Sequence, residues 1–106
     1  MGYAKERAKL EKLLKKLDVI HTFDEKNMAI LQDVHENYSH TVRILKNKAP
    51  ELFLSLYENE LQAVKDGRKA VKESVDEEPR QANFITYKEA IIKALKDTIS
   101  VTNETV

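Results

Sequence analysis

Three histidines are the residues of this chain best suited to acid–base or metal chemistry near neutral pH. They lie at positions 21, 35 and 40. His35 and His40 are five residues apart, which is about 140° around a helix, so they cannot hold one metal ion from the same face. Asp18 and His21 have the three-residue spacing of di-metal carboxylate bundles, but such bundles need a second copy of the motif, and the sequence has none. We therefore expect no metal site and no cofactor.

The other common catalytic arrangements are also missing from the sequence. There is no cysteine to act as a nucleophile, and Gly2 and Gly67 alone cannot make a phosphate-binding glycine-rich loop. The charged residue out of place is Arg68, on the apolar side of a predicted helix. Such an arginine more often extends to the edge of the core or pairs with a carboxylate than takes part in chemistry. We expect a non-enzymatic protein without a small-molecule substrate.

A row of lysines on the first predicted helix is the feature that best fits a polyanionic partner. The row has four members at helical spacing: Lys5, Lys9, Lys12 and Lys16. Lysines in such a row can contact successive phosphates. However, 18 basic and 18 acidic side chains balance over the chain, and no aromatic residue lies among these lysines to stack on a base. Nucleic-acid binding by the first helix is therefore the alternative hypothesis.

Composition predicts an all-helical domain. The 106 residues include only two glycines and two prolines, and 42% of them are hydrophobic. No apolar run approaches the roughly 18 residues of a membrane span, and the N-terminus lacks the apolar core of a secretion signal, so we expect a cytoplasmic protein without a membrane span. We predict a single helical-bundle domain over residues 1–100 and a frayed polar tail over 101–106.

A stripe of apolar residues with alternating three-four spacing runs through the first half of the chain. Its members are Leu10, Leu13, Leu17, Ile20, Leu31, Val34, Tyr38 and Leu45. This spacing places them on one face of a helix, and other helices must cover that face. Thr22–Glu25 matches a helix-capping box and coincides with polar Asp24 and Asn27, which favours a break near 21–23. Yet residues 3–49 contain neither glycine nor proline, so one continuous helix over this stretch is the alternative prediction.

The break leads to an antiparallel bundle of four helices, and its absence leads to three. With the break, the predicted helices cover residues 3–20, 24–46, 50–75 and 79–100, separated by turns before Pro50 and Pro79. Without it, a helix over about 3–46 outreaches the others and needs a second copy of the chain to cover it. We favour four helices.

The start of the third predicted helix has more apolar side chains than one core-facing side needs. Either neighbouring helices surround this end of the helix, or part of it is a contact patch, for which we predict the contact residues Leu52, Phe53, Leu56 and Tyr57. Together with the missing catalytic motifs, the patch indicates a protein–protein interaction module. We expect a regulator, adaptor, chaperone or inhibitor that binds a protein partner and associates with itself as a homodimer.

Overall fold

Four helices alternate in direction along the chain and pack around one cluster of apolar side chains. The structure is a computed structural model that describes residues 3–104, and all regular structure in that range is helical. The helices are α1, Ala4–Lys16; α2, Glu25–Lys48; α3, residues 50–73; and α4, Glu77–Glu104. No helix in this range is long and apolar enough to cross a membrane.

Contacts between neighbouring helices show that each runs antiparallel to the next; Lys46, near the end of α2, for example, lies over the Tyr57 ring in the first half of α3. At the start of α1, Glu6 pairs with Lys48 at the end of α2, with Oε2 and Nζ 2.9 Å apart. Glu60 in the first half of α3 pairs with Lys93 in the second half of α4, also at 2.9 Å. The predicted four-helix antiparallel bundle is confirmed, and the alternative of one helix over about 3–46 is wrong.

The connection between α1 and α2 spans residues 17–24, and its cap differs from the predicted one. Asp24, and not Thr22, caps α2: its backbone is extended, and its Oδ1 accepts a hydrogen bond from the Asn27 backbone N–H at 2.6 Å. Thr22 contributes its carbonyl oxygen, which accepts from the Asn27 side chain at 3.0 Å. On the other side of the connection, α1 ends at Lys16, four residues before its predicted end at Ile20.

Side chains of α4 hold this connection in place. Gln81 Oε1 accepts a hydrogen bond from the Phe23 backbone N–H at 2.7 Å. The Phe23 ring packs edge-on against Phe84, with 5.6 Å between centroids. The Lys88 amino group donates to the carbonyl oxygen of Ile20. Because these backbone groups of the connection find partners on α4, the chain can reverse here without glycine or proline.

All eight residues of the apolar stripe are buried in the core, with at most 6% of any side chain exposed. The stripe crosses the break because α1 and α2 present their apolar faces to the same cluster. The Tyr38 hydroxyl lies within this cluster, and a hydrogen bond of 2.9 Å joins it to Thr98 Oγ1. The polar end of a buried tyrosine is thus satisfied inside the bundle.

A π-helical turn over Leu56–Glu60 changes the register of α3, which is α-helical over Pro50–Ser55 and Leu61–Glu73. The Leu61 N–H donates to the Leu56 carbonyl oxygen, five residues earlier. In a regular α-helix, residues five apart lie about 140° apart, whereas here Leu56 and Leu61 are both buried. The extra residue in the turn directs Leu56 into the core and leaves Tyr57 at its edge.

Gly67 allows α3 and α4 to approach closely. A Cβ at this position would lie 3.0 Å from the Cα of Tyr87 and 3.2 Å from its ring. The mid-helix glycine is therefore explained by helix–helix packing, which outweighs its cost of about 1 kcal/mol in helix propensity.

The last helix is longer than predicted, since α4 continues to Glu104. Residues 101–104, predicted to be frayed, are helical, and Thr102 is fully buried. Arg7 of α1 donates to the Thr102 carbonyl oxygen at 3.1 Å, which satisfies an acceptor near the end of the helix. Thr105 and Val106 lie outside the described residues.

Proline substitution tests the start of α2. We expect Glu25→Pro to change the free energy of unfolding by less than about 1 kcal/mol, because the first residue of a helix tolerates proline and the extended Asp24 backbone suits the position before it. Asp24→Ala should cost about 1 kcal/mol through loss of the cap. In chemical denaturation, the control Glu36→Pro, within α2, should cost about 3 kcal/mol or more. Equal losses for Glu25→Pro and Glu36→Pro would contradict a helix start at residue 25.

A larger residue at position 67 tests the close approach of α3 and α4. We expect Gly67→Leu to lower the free energy of unfolding by about 2 kcal/mol, because the new side chain meets the Tyr87 backbone. The control Lys69→Leu is exposed on the same helix and should change it by less than about 0.5 kcal/mol. Urea denaturation of both variants measures the difference, and equal stabilities would show that the two helices are not in close contact.

Candidate functional site

The three histidines lie in three different environments. His21 is exposed in the connection between α1 and α2, His35 is buried on the inner side of α2, and His40 is exposed on the outer side of that helix. Asp18 and His21, three residues apart, both lie beyond the end of α1 and so do not share a helix face. Within residues 3–104, no three histidine or carboxylate side chains are grouped closely enough to hold a metal ion.

His35 is part of a buried polar contact between α2 and α4. Its Nδ1 and the Tyr87 hydroxyl are 2.8 Å apart and share a hydrogen bond. Burial, together with the positive charges of Arg68 and Lys65, lowers the pKa of His35 from 6.5 to about 4. The ring is therefore neutral at physiological pH, and the hydrogen bond stabilises the packing of the two helices.

The structure does not bring the four predicted contact residues together on one surface. Phe53 is fully buried against the Tyr3 ring, and Leu56 is 8% exposed. Leu52 is exposed, and Tyr57 is half-buried at the edge of the core, where the Lys46 ammonium lies 4.5 Å from its ring centroid. The π-helical turn explains the difference, since it directs Leu56 inward.

Three of the four predicted polyanion-contact lysines line one groove between α1 and α2. This lysine groove has a volume of about 260 Å³ and is lined by Lys9, Lys12, Leu13, Lys16, Asn37, His40 and Thr41. Lys5 is exposed on α1 but lies outside the groove. Lys16 forms an exposed ion pair with Asp33 at 3.8 Å, a kind of contact that contributes little to stability.

An apolar groove adjoins the lysine groove at the end of α1. It has a volume of about 590 Å³, and its apolar lining consists of Val19, Ala29 and Ile30. Val19 is 78% exposed and lies in this groove beside Ala29 and Ile30. Lys16 borders both grooves, so the apolar and lysine grooves form one continuous surface.

A third depression lies between α2 and α3 and collects further cations. This arginine pocket has a volume of about 220 Å³ and is lined by His35, Glu36, Ser39, His40, Arg43, Lys65 and Arg68. His40 borders both the lysine groove and the arginine pocket. Six cationic side chains from three helices thus line the lysine groove and the arginine pocket, on the two sides of α2.

Sequence reasoning missed the apolar groove and most of the arginine pocket. Arg68 stood out as a charged residue on an apolar side, and the structure places it, half-buried, at the pocket. Val19 gave a detectable signal, because it lies beside Ile20 but off the apolar stripe. No local pattern links Arg43 to Lys65, since packing of α2 on α3 brings them to one pocket.

Burial of His35 predicts a loss of stability in mild acid. Because the pKa of His35 is about 4 in the fold and 6.5 in the unfolded chain, the unfolded chain binds the proton first as the pH falls. Stability is full above about pH 6.5 and declines towards pH 4, by up to about 3 kcal/mol from this group.

Urea denaturation at pH 7 and pH 4.5 measures this effect. His35→Gln should lose less stability over this range than the unaltered protein. Tyr87→Phe should keep the pH dependence, because burial is the main cause of the lowered pKa and this variant leaves the imidazole buried. Identical pH dependence in His35→Gln and the unaltered protein would contradict the assignment.

Comparison of the chain with protein-family models, with curated proteins and with solved structures finds no match.

Proposed function

We propose that this protein is a non-enzymatic module that binds another protein through the exposed side of α2 and the depressions on its two sides: the apolar and lysine grooves on one side and the arginine pocket on the other. The observation that carries this proposal is that the three depressions are continuous. The apolar and lysine grooves share Lys16, and the lysine groove and the arginine pocket share His40. Binding surfaces commonly combine an apolar centre with a polar border, and this surface has both.

The two parts of this surface suit different contributions to binding. Val19 and Ala29 are exposed and, with Ile30, offer apolar area that a partner can cover. The nearby cations favour a partner that carries acidic residues, because opposite charges steer the encounter and fix its orientation. The occupant that fits best is an amphipathic segment with apolar residues on one side and carboxylates beside them.

This proposal moves the contact surface away from the one expected from the sequence. Phe53 and Leu56 are used by the bundle core, so a partner there meets mainly Leu52 and Tyr57. The homodimer and the cytoplasmic location expected from the sequence stay part of the proposal. Molar mass by light scattering at several concentrations tests self-association.

Nucleic-acid binding is the second candidate, and one observation favours it. Lys9, Lys12 and Lys16 continue through His40 to the three cations of the arginine pocket, which makes a longer basic surface than α1 alone provides. A nucleic acid needs this basic surface but not the apolar groove, so the two candidates depend on different residues.

Charged substitutions in the apolar groove distinguish the candidates. We expect the double variant Val19→Asp, Ala29→Glu to reduce binding of the protein partner at least tenfold, because it places carboxylates on the apolar contact area. The partner is first captured with the unaltered protein and identified, and its affinity for each variant is then measured by interferometry. Val75→Asp is the matched control, since Val75 is 85% exposed elsewhere on the molecule, and it should not change affinity.

Fluorescence anisotropy with labelled DNA and RNA at two salt concentrations completes the test. Tight, salt-dependent binding that Lys9→Glu, Lys12→Glu, Lys16→Glu abolishes and the groove variant leaves intact would replace the protein-binding proposal with the nucleic-acid one. Equal effects of Val75→Asp and the groove variant on partner affinity would also contradict the proposed surface.

A further inference from the structure

The arginine pocket gathers hydrogen-bond donors that suit an oxyanion. Arg43 of α2 and Lys65 and Arg68 of α3 line it together, and Ser39 and His40 add polar side chains from α2. An arginine guanidinium presents several N–H donors in a planar arrangement that matches the oxygens of phosphate. Two guanidinium groups and one ammonium group thus border one depression of about 220 Å³.

The packing of the bundle fixes the position of these donors. Lys65 and Arg68 are three residues apart on α3 and therefore project from the same side of the helix. Arg68 follows Gly67, whose contact with Tyr87 fixes the rotation of α3 at this point. The pocket also includes His35, which is held by its 2.8 Å hydrogen bond to Tyr87.

Cations outnumber carboxylates among the residues that line the pocket. Glu36 is the one carboxylate among the lining residues, against three cations. Two other acidic residues of α3 are engaged elsewhere: Glu60 pairs with Lys93, and Asp66 accepts a hydrogen bond from Gln62, both at 2.9 Å.

The ionisable groups beside the pocket reflect the same local field. Arg68 and Lys65 add to the burial that lowers the pKa of His35. A hydrogen bond from Arg43, with the charges of Arg43, Lys46 and Lys65, lowers the pKa of the Tyr57 phenol. A group that carries negative charge is therefore favoured at this position.

We propose that the arginine pocket is a binding site for a phosphate group carried as a monoester, with Arg43, Lys65 and Arg68 pairing with its charge. Three cations line a single depression of about 220 Å³, an arrangement that suits one doubly charged group. A phosphorylated side chain and a small phosphorylated metabolite present this same group. The arginine pocket is part of the surface proposed above for a protein partner, but it shares no lining residue with the apolar groove, so phosphate binding and partner binding are tested with different variants.

NMR titration with inorganic phosphate tests the site in the whole protein. Ionic strength is held constant with sodium chloride, and the imidazole signals of His35 and His40 are followed at fixed pH. We expect a saturable shift of these signals with phosphate that chloride does not reproduce. The triple variant Arg43→Gln, Lys65→Gln, Arg68→Gln should weaken binding at least tenfold.

A matched variant separates a built site from general attraction to positive charge. Lys9→Gln, Lys12→Gln, Lys16→Gln removes the same number of charges from the lysine groove and should weaken phosphate binding less than threefold. If the pocket triple variant does not fold, Lys65→Gln alone serves, since Lys65 is exposed, and it should weaken binding measurably. Equal weakening by the two triple variants, or no saturable shift with phosphate, would overturn the proposal.

Two further titrations identify the source of the phosphate group. Phosphoserine and adenosine monophosphate should both bind at the pocket. Tighter binding of phosphoserine indicates a phosphorylated protein as the source, and tighter binding of adenosine monophosphate indicates a nucleotide. A DNA oligonucleotide without a terminal phosphate should bind more loosely than either. Tighter binding of the oligonucleotide, lost in the lysine-groove variant, would overturn the monoester site in favour of a nucleic-acid surface. Because partner binding is measured with Val19 and Ala29 variants, failure of one proposal is distinguishable from failure of the other.

Discussion

The architecture of this protein depends on how α4 holds the connection between α1 and α2. Sequence separation between the two sides is large, since Phe23 meets Gln81 and Ile20 meets Lys88. These contacts satisfy backbone groups that a continuous helix would satisfy internally, and so they offset the cost of ending α1 at Lys16. Once the chain reverses at this point, α1 folds back on α2 and creates the valley that contains the apolar and lysine grooves. The candidate binding surface is thus a consequence of contacts that the connection makes with α4.

A second constraint is the contact of Gly67 with Tyr87, which links packing to polarity. The absence of a side chain at position 67 allows Tyr87 to lie against α3, and its hydroxyl then reaches His35 on α2. Three helices are fixed relative to one another by a glycine, a phenol and a neutral imidazole. The same geometry sets the rotation of α3 and therefore the place of Arg68. Arg68, which interrupts the apolar side of the predicted helix, therefore lies at the border of the arginine pocket.

Much of the fold could be predicted from the sequence, because hydrophobic periodicity is a local signal. All eight members of the apolar stripe are buried, and prolines at positions 50 and 79 mark turns near the ends of real helices. The cap was misplaced by two residues because Thr22 and Asp24 are both good capping residues, and the choice between them depends on contacts with α4. The predicted contact patch failed to form one surface because a π-helical turn changes the register within α3, and residue spacing alone does not reveal such a turn. The grooves combine residues from two helices each, so only the packed bundle reveals them.

The clustering of cations around α2 has a consequence for the molecule as a whole. Basic and acidic side chains cancel over the sequence, at 18 of each. Seven lysines and arginines line the three depressions, against the two carboxylates Asp33 and Glu36. Because the net charge of the chain is zero, the other residues carry the balancing negative charge, and the protein has an electric dipole moment. As this protein approaches an acidic partner, the dipole turns its cationic side towards the partner before contact, over a distance of about one Debye length. Zero net charge thus still allows this protein to approach a charged partner in a preferred orientation.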